Sequence, residues 1–222
     1  MRIRRTLAAA SLAAIALTGA AVAPAQANAA AVMTQGSASG PAIAVGDNLV
    51  ANLVSGTAAT FTDGAGSTNG VSCASSSFSA TVTSNPAAPG NATEQLNNQS
   101  FDQCTSSVMG VMSVQSVTAT SLPYTNTITS GSGAASLNGT SAGPVGITVV
   151  LNTLLGQVSC VYQSPNGITG STSNSNSSIT FANQPANLVS GPGLCFSTGY
   201  FSASYGPVTD STAAGSPVLY VN

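Results

Sequence analysis

Hydrophobic and polar positions alternate with a period of two along most of the chain. In Ser77-Phe78-Ser79-Ala80-Thr81-Val82-Thr83, Phe78, Ala80 and Val82 share one face and hydroxyls fill the other. Ile147, Val149 and Leu151 align in the same way, as do Phe201, Ala203 and Tyr205 against Ser202 and Ser204. Such alternation predicts half-buried strands. Pro217–Val221 predicts a final strand with its proline at the first, tolerated position. Asp63-Gly64, Asn69-Gly70, Pro89-Gly90, Asn138-Gly139 and Asn166-Gly167 punctuate the runs as turn dipeptides. Ser171–Ser178 reads as a long solvent loop. Helical periodicity is short-lived after the first 29 residues, and only Thr93–Phe101 predicts a short helix. Regular strands between polar turns predict an antiparallel sandwich or barrel, and an all-β, antiparallel sandwich of jelly-roll or Ig-like type is expected over residues 48–222.

The N-terminus has a different pattern. Met1–Arg5 is basic, Leu7–Val22 is apolar, and Ala25-Gln26-Ala27 and Ala27-Asn28-Ala29 offer small-residue cleavage sites. Residues 1–29 therefore predict a helical export signal, by the Sec or the twin-arginine route, and a secreted product. The apolar run is too short for a membrane span of about 20 residues. Residues 30–47, small and polar, read as a flexible linker.

Charge narrows the function. Charged residues make up 4% of the chain, against about a quarter in an ordinary domain, and there is no His or Trp. The only cationic side chains are Arg2, Arg4 and Arg5, all inside the leader. Residues 30–222 have no cationic side chain with which to hold nucleic-acid phosphates or anionic headgroups. Five carboxylates remain, Asp47, Asp63, Glu94, Asp102 and Asp210. Glycoside hydrolysis would need two of them in a cleft. No motif frames any of them, and they are expected to face solvent from loops. Gly139-Thr140-Ser141-Ala142-Gly143 matches the nucleophile-elbow pattern literally, but no His or Lys exists to activate Ser141, and a Gly/Ser loop is expected. Asp63–Gly70 resembles a calcium loop only faintly, lacks the closing Glu, and predicts a hairpin turn.

Four cysteines, Cys73, Cys104, Cys160 and Cys195, suit two disulfides in an exported chain. With no C-x-x-C pair and no His, a metal site is not expected, nor is any cofactor. Val71-Ser72-Cys73 reappears as Val158-Ser159-Cys160, and Asn98-Gln99 as Asn183-Gln184, which suggests two similar halves. That duplication favours Cys73–Cys104 with Cys160–Cys195 over the other two pairings. The aromatics Phe196, Tyr200, Phe201 and Tyr205 gather near the last cysteine. They read as core, or as the wall of a cavity for a neutral ligand.

The order Cys73, Cys104, Ser121-Leu122-Pro123-Tyr124-Thr125, Gly146-Ile147, Cys160, Cys195 resembles the secreted alkane-oxidation activators of the PraA/PraB type. The resemblance implies a β-rich, extracellular, non-enzymatic protein tied to apolar surfaces or biofilm. The leader and lysine-free composition are also similar to exported proteins of high-GC Gram-positive bacteria. Enediyne-carrying apoproteins share the acidity, the export and the two disulfides, but are much shorter. Two functions are expected from these readings. One is a non-enzymatic envelope or extracellular protein that self-associates or contacts cell or apolar surfaces. The other is a secreted carrier for a neutral apolar molecule.

Overall fold

The computed structural model describes residues 29–222, so the expected export signal lies almost wholly outside the described residues. Fifteen strands and no helix make up the described chain. The first five are β1 (Met33–Gln35), β2 (Asn48–Asn52), β3 (Ala59–Thr62), β4 (Gly70–Ser84) and β5 (Asn91–Ser106). They are followed by β6 (Val111–Thr120), β7 (Tyr124–Thr129), β8 (Ala134–Asn138), β9 (Val145–Thr153) and β10 (Gly156–Ser164). The last are β11 (Ile168–Ser173), β12 (Ser178–Ser190), β13 (Thr198–Tyr205), β14 (Thr209–Asp210) and β15 (Leu219–Val221).

The chain is all-β and antiparallel, but its strands close on themselves instead of forming the two facing sheets of a sandwich. β3, β4, β5, β7, β8, β11, β12 and β13 pair in that order, and β13 returns to β3. This eight-strand ring is a closed barrel. Closure removes the unpaired edges that a sandwich leaves open.

Long strands that change partner make the ring possible. β5 pairs with β7 through Leu96, and its second half runs beside β6. β12 pairs with β11 through Phe181 and, after a bulge, with β10 from Asn187 on. Asn183 takes a left-handed φ of 50° at that bulge, a conformation asparagine tolerates well. Pro185, which has no N–H for a ladder, lies two residues beyond it. From β12 the sheet continues outside this ring through β10 and β9 to β6.

Other expectations are corrected as well. The short helix over Thr93–Phe101 is part of β5, where Ala92, Glu94 and Leu96 point inward at every second position. Ser171–Ser178 forms a tight hairpin, with Asn174 pinning the backbone of Val221 at 2.8 Å. The two similar halves are not separate units, because thirteen strands share one continuous sheet. The stretch 30–47, read as a flexible linker, carries β1, which pairs with β15, and its Val32, Met33 and Ile43 are buried. Asn85 holds it there by accepting from Met33 N and donating to the carbonyls of Met33 and Ile43.

The two disulfides are Cys73–Cys104 and Cys160–Cys195, the favoured pairing. The first joins paired positions of β4 and β5. The second ties β10 to the loop before β13.

Tyr124, in the Leu122-Pro123-Tyr124 segment, seals the gap between β7 and β9. Its buried hydroxyl accepts from Gly146 N at 3.1 Å and lies within hydrogen-bonding reach of the carbonyls of Gly146 and Thr120. Burial raises its pKa. The change Tyr124→Phe strips the buried Gly146 N–H of this partner, and should destabilise the fold by about 1–3 kcal/mol in urea titration. A loss below about 0.5 kcal/mol would mean that the hydroxyl closes nothing.

Candidate functional site

The period-two pattern that builds the barrel also decides what lies inside it. Inward positions of β5, β7, β8 and β11 supply Leu96, Tyr124, Leu137 and Ile168, all buried. With Phe61, Phe101, Ala186 and Phe201 they enclose an apolar void of about 70 Å³. A second void, of about 40 Å³, adjoins it, sharing Leu96, Gln99, Leu137, Ile168 and Phe201. Its remaining wall differs in character, because Glu94, Asn126 and Tyr205 enter it together with Phe78, Ile179 and Phe181.

Glu94 sits between Ala92 and Leu96 on the inward face of β5, and is 4% exposed. Asn126 occupies the matching place between Tyr124 and Ile128 on β7, and is 6% exposed. The two are directly paired across the strands. Asn126 Nδ2 donates to Glu94 Oε2 at 3.2 Å, while Asn126 Oδ1 has no partner. Burial pushes the Glu94 carboxyl up to about 7, opposed only by the Asn126 hydrogen bond. No Lys, Arg or His occurs anywhere in residues 29–222 to offset its charge.

A second polar group closes the same end. Gln99 Nε2 donates to Ser76 Oγ and to Tyr205 Oη, each at 2.9 Å. Ser76 Oγ and Tyr205 Oη are 2.9 Å apart, and Ser76 Oγ donates to the Ser100 carbonyl at 2.6 Å. This network occupies both hydroxyls and the Gln99 Nε2 donors. Burial pushes the Tyr205 hydroxyl up to about 12, which keeps it protonated, and since Ser76 Oγ gives its proton to the Ser100 carbonyl, the Tyr205 proton goes to Ser76 Oγ.

The sequence-derived aromatics divide. Phe201 lines both voids and Tyr205 lines the second. Phe196 lies elsewhere, in a small void of about 20 Å³ beside the Cys160–Cys195 disulfide. Tyr200 sits on the opposite face of β13 from Phe201. The structure therefore brings two of the four to one cavity. Glu94, expected on a solvent-facing loop, is the main correction, and Asp210, also expected there, is wholly buried. The Asp210 carboxylate accepts from the backbone of Thr212 and Ala213 and from Gln35 Nε2.

Catalytic constellations do not assemble around these groups. Glu94 and Asp102 share β5 eight positions apart, roughly 26 Å at a strand's rise, far beyond glycosidase spacing. Ser141 is exposed in a turn where Thr140 N donates to the Gly143 carbonyl. Among the described residues, no group of three metal-ligating side chains converges.

A third feature lies at the far end of the barrel, where β5 turns into β6 and β9 into β10. Val111 pairs with Thr153, which sets the two turns side by side. They expose Met109 (92%), Met112 (68%), Leu154 (81%) and Leu155 (100%). Some of the hydrogen bonds of these two turns are made locally. Thr153 Oγ1 donates to the Gly156 carbonyl and accepts from Leu155 N, while Val111 N donates to the Val108 carbonyl and Val108 N to Ser106 Oγ.

No protein-family model matches the chain, and no curated protein or solved structure is similar enough to be matched to it. The likeness to the alkane-oxidation activators therefore stays an expectation drawn from the cysteine order and the Leu-Pro-Tyr segment.

Proposed function

We propose that this chain is an exported, non-enzymatic surface-interaction protein that adheres through the tip formed by Met109, Met112, Leu154 and Leu155. Those four exposed apolar side chains on two adjacent turns carry the reading. Isolated exposed apolar residues need no explanation, whereas a contiguous uncharged group of them marks a contact site. The partner inferred is an uncharged lipid surface. With no cation in residues 29–222, attraction to anionic headgroups is absent, and binding rests on burying apolar side chains. The two disulfides suit an oxidising compartment, and the leader-like N-terminus suits export. The absence of His from the sequence and the wide separation of Glu94 from Asp102 favour a role without catalysis.

Burial of a Leu is worth about 1.5–3 kcal/mol. Replacing Leu154 and Leu155 by Asn should therefore weaken co-sedimentation with phosphatidylcholine vesicles by roughly a hundredfold. Both side chains are exposed, so the fold should survive. Failure of the unaltered protein to bind, or unchanged binding by the variant, would overturn the lipid assignment. A concentration-dependent oligomer that the same variant abolishes would reassign the tip to self-association.

A carrier of a neutral molecule is the second reading. It is favoured by the adjoining voids around Phe201.

A further inference from the structure

We propose that the void walled by Glu94 and Asn126 is a binding site for a small aliphatic alcohol, whose hydroxyl bridges these two side chains and whose chain occupies the adjoining apolar void. The site deepens the carrier reading and rests on it.

The inference starts from an unpaired atom. Asn126 is more than nine-tenths buried, and its Oδ1 accepts nothing within the protein. Buried polar atoms are nearly always paired, and one that is not needs an explanation. It lies on a side chain that lines a cavity. The other polar groups there cannot answer it, because Gln99, Ser76 and Tyr205 are engaged with one another.

The chemistry of the vacant positions selects the ligand. Asn126 Oδ1 requires a donor. The Glu94 carboxyl, in its neutral form, has one O–H to give, and its hydrogen bond with Asn126 runs through Nδ2, not through Oδ1. A hydroxyl supplies both complements, because it donates one hydrogen bond and accepts two. An anion would meet Glu94 with no cation to hold it. A ketone or ether could accept from Glu94 but would leave Asn126 Oδ1 empty.

Space selects the remainder. From the polar end the cavity leads into the void of about 70 Å³, whose wall is mostly apolar, with Leu137, Ile168, Val145 and Phe201, although Gln99 and Ser164 also reach it. That space exceeds what one water needs, and its walls are mostly apolar. It suits a short alkyl chain attached to a hydroxyl that stays at Glu94 and Asn126.

The test uses the folded protein, isotopically labelled, at about pH 5.5, where the raised Glu94 carboxyl is mostly neutral. 1-Pentanol and n-pentane are the matched probes. The expected result is a saturable shift of the Asn126 side-chain amide resonances with pentanol, at an affinity at least about tenfold above that of pentane. Asn126→Leu should erase that preference while pentane still binds, both probes being read in the variant on the Leu137 and Ile168 methyl resonances, which line both voids. The comparison of the two probes on the unaltered protein needs no variant, so it stands even if Asn126→Leu fails to fold. Equal affinity for pentane and pentanol would overturn the hydroxyl assignment. Absence of a saturable shift, with only water magnetisation reaching Asn126, would show a hydration site and overturn the proposal. Either failure leaves the vesicle result at the Leu154–Leu155 turn unaffected, so the adhesion and carrier readings can fail separately.

Discussion

The protein should be more stable at about pH 4.5 than at about pH 8, by about 3 kcal/mol, and Glu94→Gln should remove that difference. Folding raises the Glu94 carboxyl from its ordinary 4.5 to about 7, because burial removes water and only Asn126 replaces it. The folded protein thus holds this proton more tightly than the unfolded chain. Below the unfolded value both states are protonated, and the carboxyl adds no penalty. Between the two values the unfolded chain ionises first, so stability falls as pH rises. Above about pH 7 both states are ionised, and the loss is complete. A shift of one unit corresponds to about 1.4 kcal/mol, and the span gives the total. Asp63 acts in the opposite sense. Hydrogen bonds with Ser67, then Asn69, hold its carboxyl below the usual range, so its contribution is lost in acid. The measurement is therefore the difference between the unaltered protein and Glu94→Gln across the range. Glutamine keeps the shape and can still accept from Asn126, so the variant should gain stability at about pH 8 and change little at about pH 4.5. Parallel curves for the two proteins would show that Glu94 ionises in the fold as freely as in water.

Much of this fold is legible as period two. The alternation in Phe78, Ala80 and Val82 and in Phe201, Ala203 and Tyr205 marks strands within β4 and β13, and both disulfides follow the spacing of the duplicated Val-Ser-Cys. Glu94 escapes for a local reason. Glu94, Gln95 and Leu96 are good helix formers, and a helical reading puts Glu94 on a wet face. Read with period two, Ala92, Glu94 and Leu96 form one inward row, and Tyr124, Asn126 and Ile128 form its partner. Propensity yields to tertiary pairing here, as it often does. The barrel itself is hidden because closure is set by which strands change neighbours, and period two carries no such signal. Yet the two Asn-Gln repeats mark those places. Asn98-Gln99 lies just beyond the pairing of β5 with β7, and Asn183-Gln184 lies at the bulge between the β11 and β10 partners of β12. What resembles a duplicated unit is a repeated way of redirecting a long strand. The tip is invisible in the sequence because Met109, Leu154 and Leu155 belong to two distant turns that meet only through the β6–β9 register.

Removing both disulfides should bring the protein close to unfolding at room temperature, the largest single change expected here. Cys73–Cys104 closes a separation of 31 residues and Cys160–Cys195 one of 35. In the chain-entropy model each restrains the unfolded chain by roughly 3–4 kcal/mol. The two loops do not overlap in sequence, so their effects on the unfolded chain should add, to about 7 kcal/mol. Domains of this size are typically stable by about 5–15 kcal/mol, and the reduced chain would keep little of that. The folded-state consequences differ between the two. Cys73 and Cys104 are opposed within the long β4–β5 ladder, which persists without the bond. Cys160–Cys195 ties the loop between β12 and β13 to β10, where Tyr162 also hydrogen-bonds the backbone of Phe196. Paired Cys→Ala variants, one bridge at a time, should therefore lose similar stability in urea titration. Only the Cys160–Cys195 variant should also show early amide exchange and proteolysis across residues 191–197. Near-additive losses would support restraint of the unfolded chain as the origin. A double variant no less stable than either single one would place the stabilisation in shared packing around Val71, Tyr162 and Phe61, where the second bridge lies beside the barrel core.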